Sequence, residues 1–208
     1  MTLTQIRAHL RRLIDEPNTA KWSDANLNAL INDATREIYG EIIRRNPMYL
    51  YKSGTVTTTA SSYFTDIPTD CILLNRLVNS DGEILPRVDT TQMSMDGTAG
   101  EPEGFAVVGP HIHWYPMADA AYAITAYYHY MPDDMATDSS VPILPVGYHD
   151  ILAYGAAIKC RTSKEDQIKE YIMLYGNKLE LLLRAISVDQ TNEAPRIKGA
   201  YHDFYLYD

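Results

Sequence analysis

Apolar residues recur along the first fifty positions with the period of a helix. Leu3, Ile6, Leu10, Leu13 and Ile14 fall on one stripe, which predicts an amphipathic helix over 2–15 with Arg7, Arg11 and Arg12 on its wet side. Pro17 stops it. Ser23 then stands where an N-cap is wanted, and Asp24 suits the positive end of a helix dipole. Leu27, Leu30, Ile31, Ala34, Ile38 and Ile42 give this second helix its buried stripe, and Asn46-Pro47 ends it.

From Tyr51 the pattern shortens to that of strands. Thr55-Val56-Thr57-Thr58-Thr59 is β-branched, and 63–65, 71–79 and 83–86 read as further short strands with turns at Ser61-Ser62 and Asp81-Gly82. Residues 89–103 are small and polar, a loop. FAVV (105–108), a turn at Gly109-Pro110 and HIHWY (111–115) predict a hairpin, and AYAITAYYHY (121–130) is the longest strand candidate. Prolines 132, 142 and 145 mark a connecting loop.

Helical spacing then returns. Tyr148 to Arg161 carries Ala153, Gly155, Ala156 and Ala157, a small-residue helix suited to close packing against a neighbour. Lys164 to Ser187 keeps Ile168, Tyr171, Ile172, Tyr175, Leu179, Leu182 and Ile186 on one stripe. Gly176 inside it costs roughly 1 kcal/mol relative to Ala, which predicts close packing at that point. Residues 189–208 have no period, yet end in Tyr201, Phe204, Tyr205 and Tyr207. Four rings that cannot bury themselves suggest an arm that docks on another surface. The predicted fold is α+β: a mainly helical core of about four helices, discontinuous over 1–50 and 143–188, an inserted small antiparallel β region over 51–142, and an extended C-terminal arm over 189–208.

Composition narrows the class. The 208 residues are 46% hydrophobic and 22% charged, which excludes wholesale disorder. No apolar run is long enough to cross a bilayer, and the arginines of the first helix break any signal-peptide core. Cys71 and Cys160 are too few for a disulfide framework and suggest a reducing compartment. Sixteen Tyr against three Phe is a composition favoured at protein interfaces. The net charge of −9 argues against broad wrapping of nucleic acid. Its location is more informative. Residues 51–140 hold 3 basic and 12 acidic side chains, a net of −9, whereas 1–50 (7 against 6) and 141–208 (8 against 9) are near neutral.

Candidate chemistry is sparse. His111 and His113 share a strand face but lack a third metal ligand. Asp133, Asp134 and Asp138 lack the glycine turn and closing Glu of a calcium loop. His149 and Cys160 are eleven residues apart on one predicted helix, about 16 Å along its axis, and cannot form a dyad. Cys71 sits in an apolar strand and reads as core. Arg7, Arg11 and Arg12 read as a solvated helix face. No nucleophile elbow or phosphate-binding glycine loop occurs, so no catalytic residue, metal or cofactor is assigned.

Three stretches in order carry a resemblance: WSDANLNALINDATREIY (22–39), with Trp22, Asn32 and Ala34 as its core motif; FAVVGPHIHWYPMADAAYAITAYYHYMP (105–132); and ILPVGYHDILAYGAAIKC (143–160). Together they resemble the head-to-tail adaptor (connector) proteins of tailed bacteriophages of the short-tailed type. The resemblance implies a non-enzymatic virion protein, assembled in the host cytoplasm. It would form a ring, usually dodecameric, under the portal protein. The implied partners are the portal, neighbouring adaptor subunits and a tail or nozzle protein, with DNA passing through unbound and no membrane involved. Ala153, Gly155 and Ala156 would then pack between subunits, and Tyr201, Phe204, Tyr205 and Tyr207 would form the portal- or neighbour-binding arm. The residues alone leave open a non-viral or other virion α+β interaction module, and a metal-dependent hydrolase using the β region.

Overall fold

The structure is a computed structural model; it describes residues 1–16, 21–90, 98–160 and 165–187. Helix α1 (Leu3–Leu13) opens with a capping box in which Thr2 and Gln5 satisfy each other's backbone N–H groups. Helix α2 (Asp24–Arg45) is capped by Ser23, whose hydroxyl accepts from the Asn26 N–H, and stops at Asn46 before Pro47. After the β region come α3 (Ile151–Cys160) and α4 (Glu165–Ser187).

Among the described residues seven strands intervene: β1 (Tyr51–Thr57), β2 (Ser62–Asp66), β3 (Cys71–Val78), β4 (Ile84–Leu85), β5 (Gly104–Val108), β6 (His111–Ala118) and β7 (Ala123–Tyr130). They form two antiparallel sheets, ordered β1-β7-β3-β4 and β2-β6-β5. Gly82 and Gly109 take positive φ at the two predicted turns, a conformation that glycine adopts without strain.

The architecture is α+β, with two hydrophobic cores. The helical core joins Leu3, Ile6 and Leu10 of α1, Leu27, Ile31, Ile38 and Ile42 of α2, Ile151–Ala153, Ala156 and Ala157 of α3, and Leu182 and Ile186 of α4. The second core lies between the sheets, with Val56, Leu74, Leu77, Ile124 and Tyr128 from one and Phe105, Ile112 and Trp114 from the other. Buried alternate positions explain why these short segments take strand form. Tyr130 touches both cores, and His129 Nδ1 donates to the Pro47 carbonyl at 2.8 Å where sheet meets helix.

The segment between β7 and α3 belongs with the helices. Met135 and Leu144 are buried in the helical core, and the backbone N–H groups of Leu3 and Thr4 donate to the Ser140 and Asp138 carbonyls. This return loop therefore lies against the helical body.

The first-helix arginines differ from expectation. Arg7 and Arg11 are not a solvated face: each side chain is only 11% exposed. Arg7 donates to Asn28 and Asp138, both at 3.0 Å, and Arg11 to the Trp22 carbonyl at 3.0 Å and Asp24 at 2.6 Å. Charged heads bridging α1, the start of α2 and the return loop hold those parts together, and only Arg12 of the three is exposed.

Candidate interaction surfaces

Helix α3 is central, in contact with α1, α2 and α4. Its small residues allow this. An added Cβ at Gly155 would lie 3.0 Å from Ala34 Cβ and 3.1 Å from the Tyr175 ring. Ala153, Gly155 and Ala156 are buried, so the close approach anticipated between subunits is made within the chain instead. Asn32 and Ala34 are buried on α2, facing the return loop and α3 respectively, and half-buried Trp22 packs on the helical core. The arm residues Tyr201, Phe204, Tyr205 and Tyr207 lie outside the described residues.

Gly176 behaves differently from its expectation. Nothing lies within 4 Å of an added Cβ there, so among the described residues no close packing accounts for it. It sits in an exposed stretch of α4 with Ile172 and Met173, 52% and 61% exposed. A second apolar surface, Val141, Ile143 and Val146 before α3, is also exposed. Sequence reading passed over it because prolines marked the segment as loop; the usable signal was three aliphatic residues set between those prolines.

The β region bears two further surfaces. On the outer face of the three-stranded sheet, the Phe64 ring lies 4.7 Å from His111 and 5.8 Å from His113. His111 Nδ1 bonds Asp66 at 2.7 Å. The two histidines do share a face, as a strand requires; both rings contact Phe64, and His111 also pairs with Asp66. Among the described residues no group of three or more His, Cys, Asp or Glu could hold a metal ion. At another point Asp81, Glu83, Glu101 and Glu103 converge around Pro86, Pro102 and Pro116. Much of the remaining acidity is paired: Asp134 with Arg36, Asp138 with Arg7, and Asp70 with Lys52. Four of the twelve acidic side chains of 51–140 thus lie together in one acidic cluster.

Titrations reflect packing. Burial pushes the Cys160 thiol up to about 11 and the Tyr39 and Tyr175 phenols up to about 12. Tyr39 Oη accepts from the Ile143 N–H at 2.8 Å. A thiol held protonated in a helical core is a packing group, not an activated nucleophile. Among the described residues no helix is long and apolar enough to cross a membrane.

Exposed apolar and acidic surfaces on a two-core α+β scaffold are of the kind through which proteins contact other proteins. Residues 1–198 match the family model of the SU10 adaptor protein, and the chain belongs to that family. Its members are structural phage proteins, components of the virion that interact with other head and tail proteins. No curated protein matches the chain.

Proposed function

We propose that this protein is a non-enzymatic head-to-tail adaptor that forms a ring under the portal, joins it to the tail or nozzle, and extends the channel through which DNA passes. The match over 1–198 to a phage adaptor family carries this reading. The division of the molecule supports it. Head-to-tail rings need two different complementary faces on each subunit, and two of the exposed apolar groups lie on different segments: Ile172 and Met173 on α4, and Val141, Ile143 and Val146 before α3.

In this reading the helical body, 1–50 with 143–188, contacts the portal and adjacent adaptors. The β region faces the channel or the tail, and the arm 189–208 reaches the portal or a neighbour through Tyr201, Phe204, Tyr205 and Tyr207. The acidic cluster at Asp81, Glu83, Glu101 and Glu103 would repel a passing duplex and prevent sticking. Assembly takes place in the host cytoplasm and the product resides at the head–tail interface of the virion.

Native mass spectrometry of the protein with and without a portal complex tests the reading. The expected result is a ring of defined stoichiometry on the portal; a chain that never joins it removes the proposal. Deleting 190–208 is expected to weaken portal attachment. Replacing Asp81, Glu83, Glu101 and Glu103 with Asn or Gln is expected to slow DNA release or impair tail attachment. Normal behaviour of both would dismiss a role for the acidic cluster.

A further inference from the structure

Four strands form the sheet edges: β1 and β4 in one sheet, β2 and β5 in the other. Unpaired edges recruit other chains, and folded proteins normally block them. Three are blocked here. On β2, the Ser62 hydroxyl donates to the Phe64 carbonyl at 2.8 Å and accepts the Phe64 N–H at 3.4 Å, occupying the backbone groups that would face a new strand. On β5, the strap at Pro86–Val88 pairs with Phe105: the Phe105 N–H donates to Pro86 at 3.0 Å, and the Val88 N–H to Phe105 at 2.7 Å. An added Cβ at Gly104 would lie 2.6 Å from Val88, so the strap sits tight against that strand. Strand β4 has two residues, and β3 beside it is broken by register shifts at Cys71/Leu73 and Leu74/Arg76.

Strand β1 is different. It runs for seven residues, Tyr51–Thr57, paired with β7 in unbroken register. The Thr58 N–H donates to Tyr122 at 3.0 Å, which fixes the phase of the ladder. Residues of the same parity, Lys52, Gly54 and Val56, exchange bonds with β7, and Tyr51, Ser53, Thr55 and Thr57 turn their N–H and C=O groups to the open side. No proline interrupts this edge, and Lys52, its one charged side chain, is bound to Asp70.

We propose that the open edge of β1 accepts residues 201–207 of a second copy of this chain as an added strand. The inference rests on the ring reading above. Tyr201-His202-Asp203-Phe204-Tyr205-Leu206-Tyr207 has the length of β1, contains neither Pro nor Gly, and is rich in aromatic residues suited to a pleated surface. Its point of departure is favourable. Helix α4 ends at Ser187, and the Ile186 carbonyl accepts from Asn46 Nδ2 at 2.7 Å, five residues before β1 begins. The intervening 13 residues, 188–200, span up to about 43 Å when extended, against about 24 Å for the strand itself. That reach carries the segment to an adjacent subunit. Pairing within one chain would consume both edge and tail. Pairing between copies lets every subunit donate one tail and accept another, the heterologous contact a closed ring requires.

Two differently tagged full-length variants, Thr55→Cys and a Cys at Phe204, Tyr205 or Leu206, would be co-expressed and mildly oxidised, alone and with the portal protein present. Each single variant controls for Cys71 and Cys160. The expected product is a disulfide joining the two tags. No disulfide joining the two tags, with or without the portal protein, overturns the proposal. Thr55→Pro removes an outward N–H that the ladder does not use. It is expected to keep the wild-type melting temperature while weakening self-assembly by about tenfold or more. Undiminished assembly of folded Thr55→Pro overturns the strand pairing and leaves the ring intact. A cross-chain link in a protein that never closes into a ring, alone or on the portal, overturns the ring reading and upholds the pairing.

Discussion

The buried amide of Asn32 clasps the backbone of Met135, 103 positions away: Oδ1 accepts the Met135 N–H at 3.1 Å and Nδ2 donates to the Met135 carbonyl at 3.2 Å. One side chain thus satisfies both polar groups of a residue sunk in the helical core. It also fixes the return loop on α2, helped by the ion pair between Arg36 and Asp134. Replacing Asn32 with Ala leaves two buried groups unsatisfied. We expect a loss of about 2–4 kcal/mol of unfolding free energy in urea. Asn32→Asp should not rescue it, because a carboxylate cannot donate to the Met135 carbonyl.

Two helix glycines should respond oppositely when a side chain is added. Gly155 is enclosed, with 3.0 Å from an added Cβ to Ala34 Cβ, whereas Gly176 is open. Gly155→Val is expected to destabilise by about 1–3 kcal/mol through overpacking. Gly176→Ala should stabilise the free subunit by up to about 1 kcal/mol, because it removes a flexible residue from a helix interior and strikes nothing. Thermal melts of both variants would check the pair of signs.

That contrast shows what the sequence can and cannot convey. Period and capping chemistry are local, so the four helices, the Ser23 cap and the turns at Gly82 and Gly109 were legible from residue order. Small residues were legible as close-packing positions, but not as to what they pack against: Gly155 and Gly176 look alike in sequence and differ only in the tertiary fold. The same limit applies to Arg7 and Arg11. A run of arginines reads as solvated until the fold brings Asp138 to Arg7 and Asp24 to Arg11. Of the interaction surfaces, tyrosine enrichment gave a hint. The open edge of β1 was invisible, since it depends on strand order and on Ser62 blocking the other sheet.

Acid should weaken the joint between the first two helices. The hydrogen bond from Arg11, aided by the charges of Arg11 and Arg7 and opposed by slight burial, holds the Asp24 carboxyl below its ordinary value. A carboxylate with a depressed folded-state pKa contributes stability that is present above the unfolded value of 3.8 and is lost as pH falls through the lower folded value. Asp24→Asn should therefore lower the urea midpoint at pH 7 and differ less from wild type as the pH drops below 3.8. In Arg11→Ala, the Asp24 titration followed by NMR should move upward. An unchanged titration would show that Arg11 does not set it.

The two cysteines should report separately on the two parts of the molecule. Cys160 is 3% exposed in the helical core, and burial raises its thiol to about 11. Cys71 is half-buried at the start of β3 and is shifted upward, chiefly by burial and then by Asp70. At pH 8 a thiol titrating near 11 is ionised in about one molecule per thousand, roughly a hundredfold less than an unfolded cysteine. A thiol reagent should therefore modify Cys71 first in the native protein. Cys160 should react only as the helical core opens, with a rate that rises in the Asn32→Ala variant because that substitution loosens the same core. Mass spectrometry of the labelled peptides against time would measure both. Equal native rates for the two thiols would show that α3 is not sealed in the core as the structure has it.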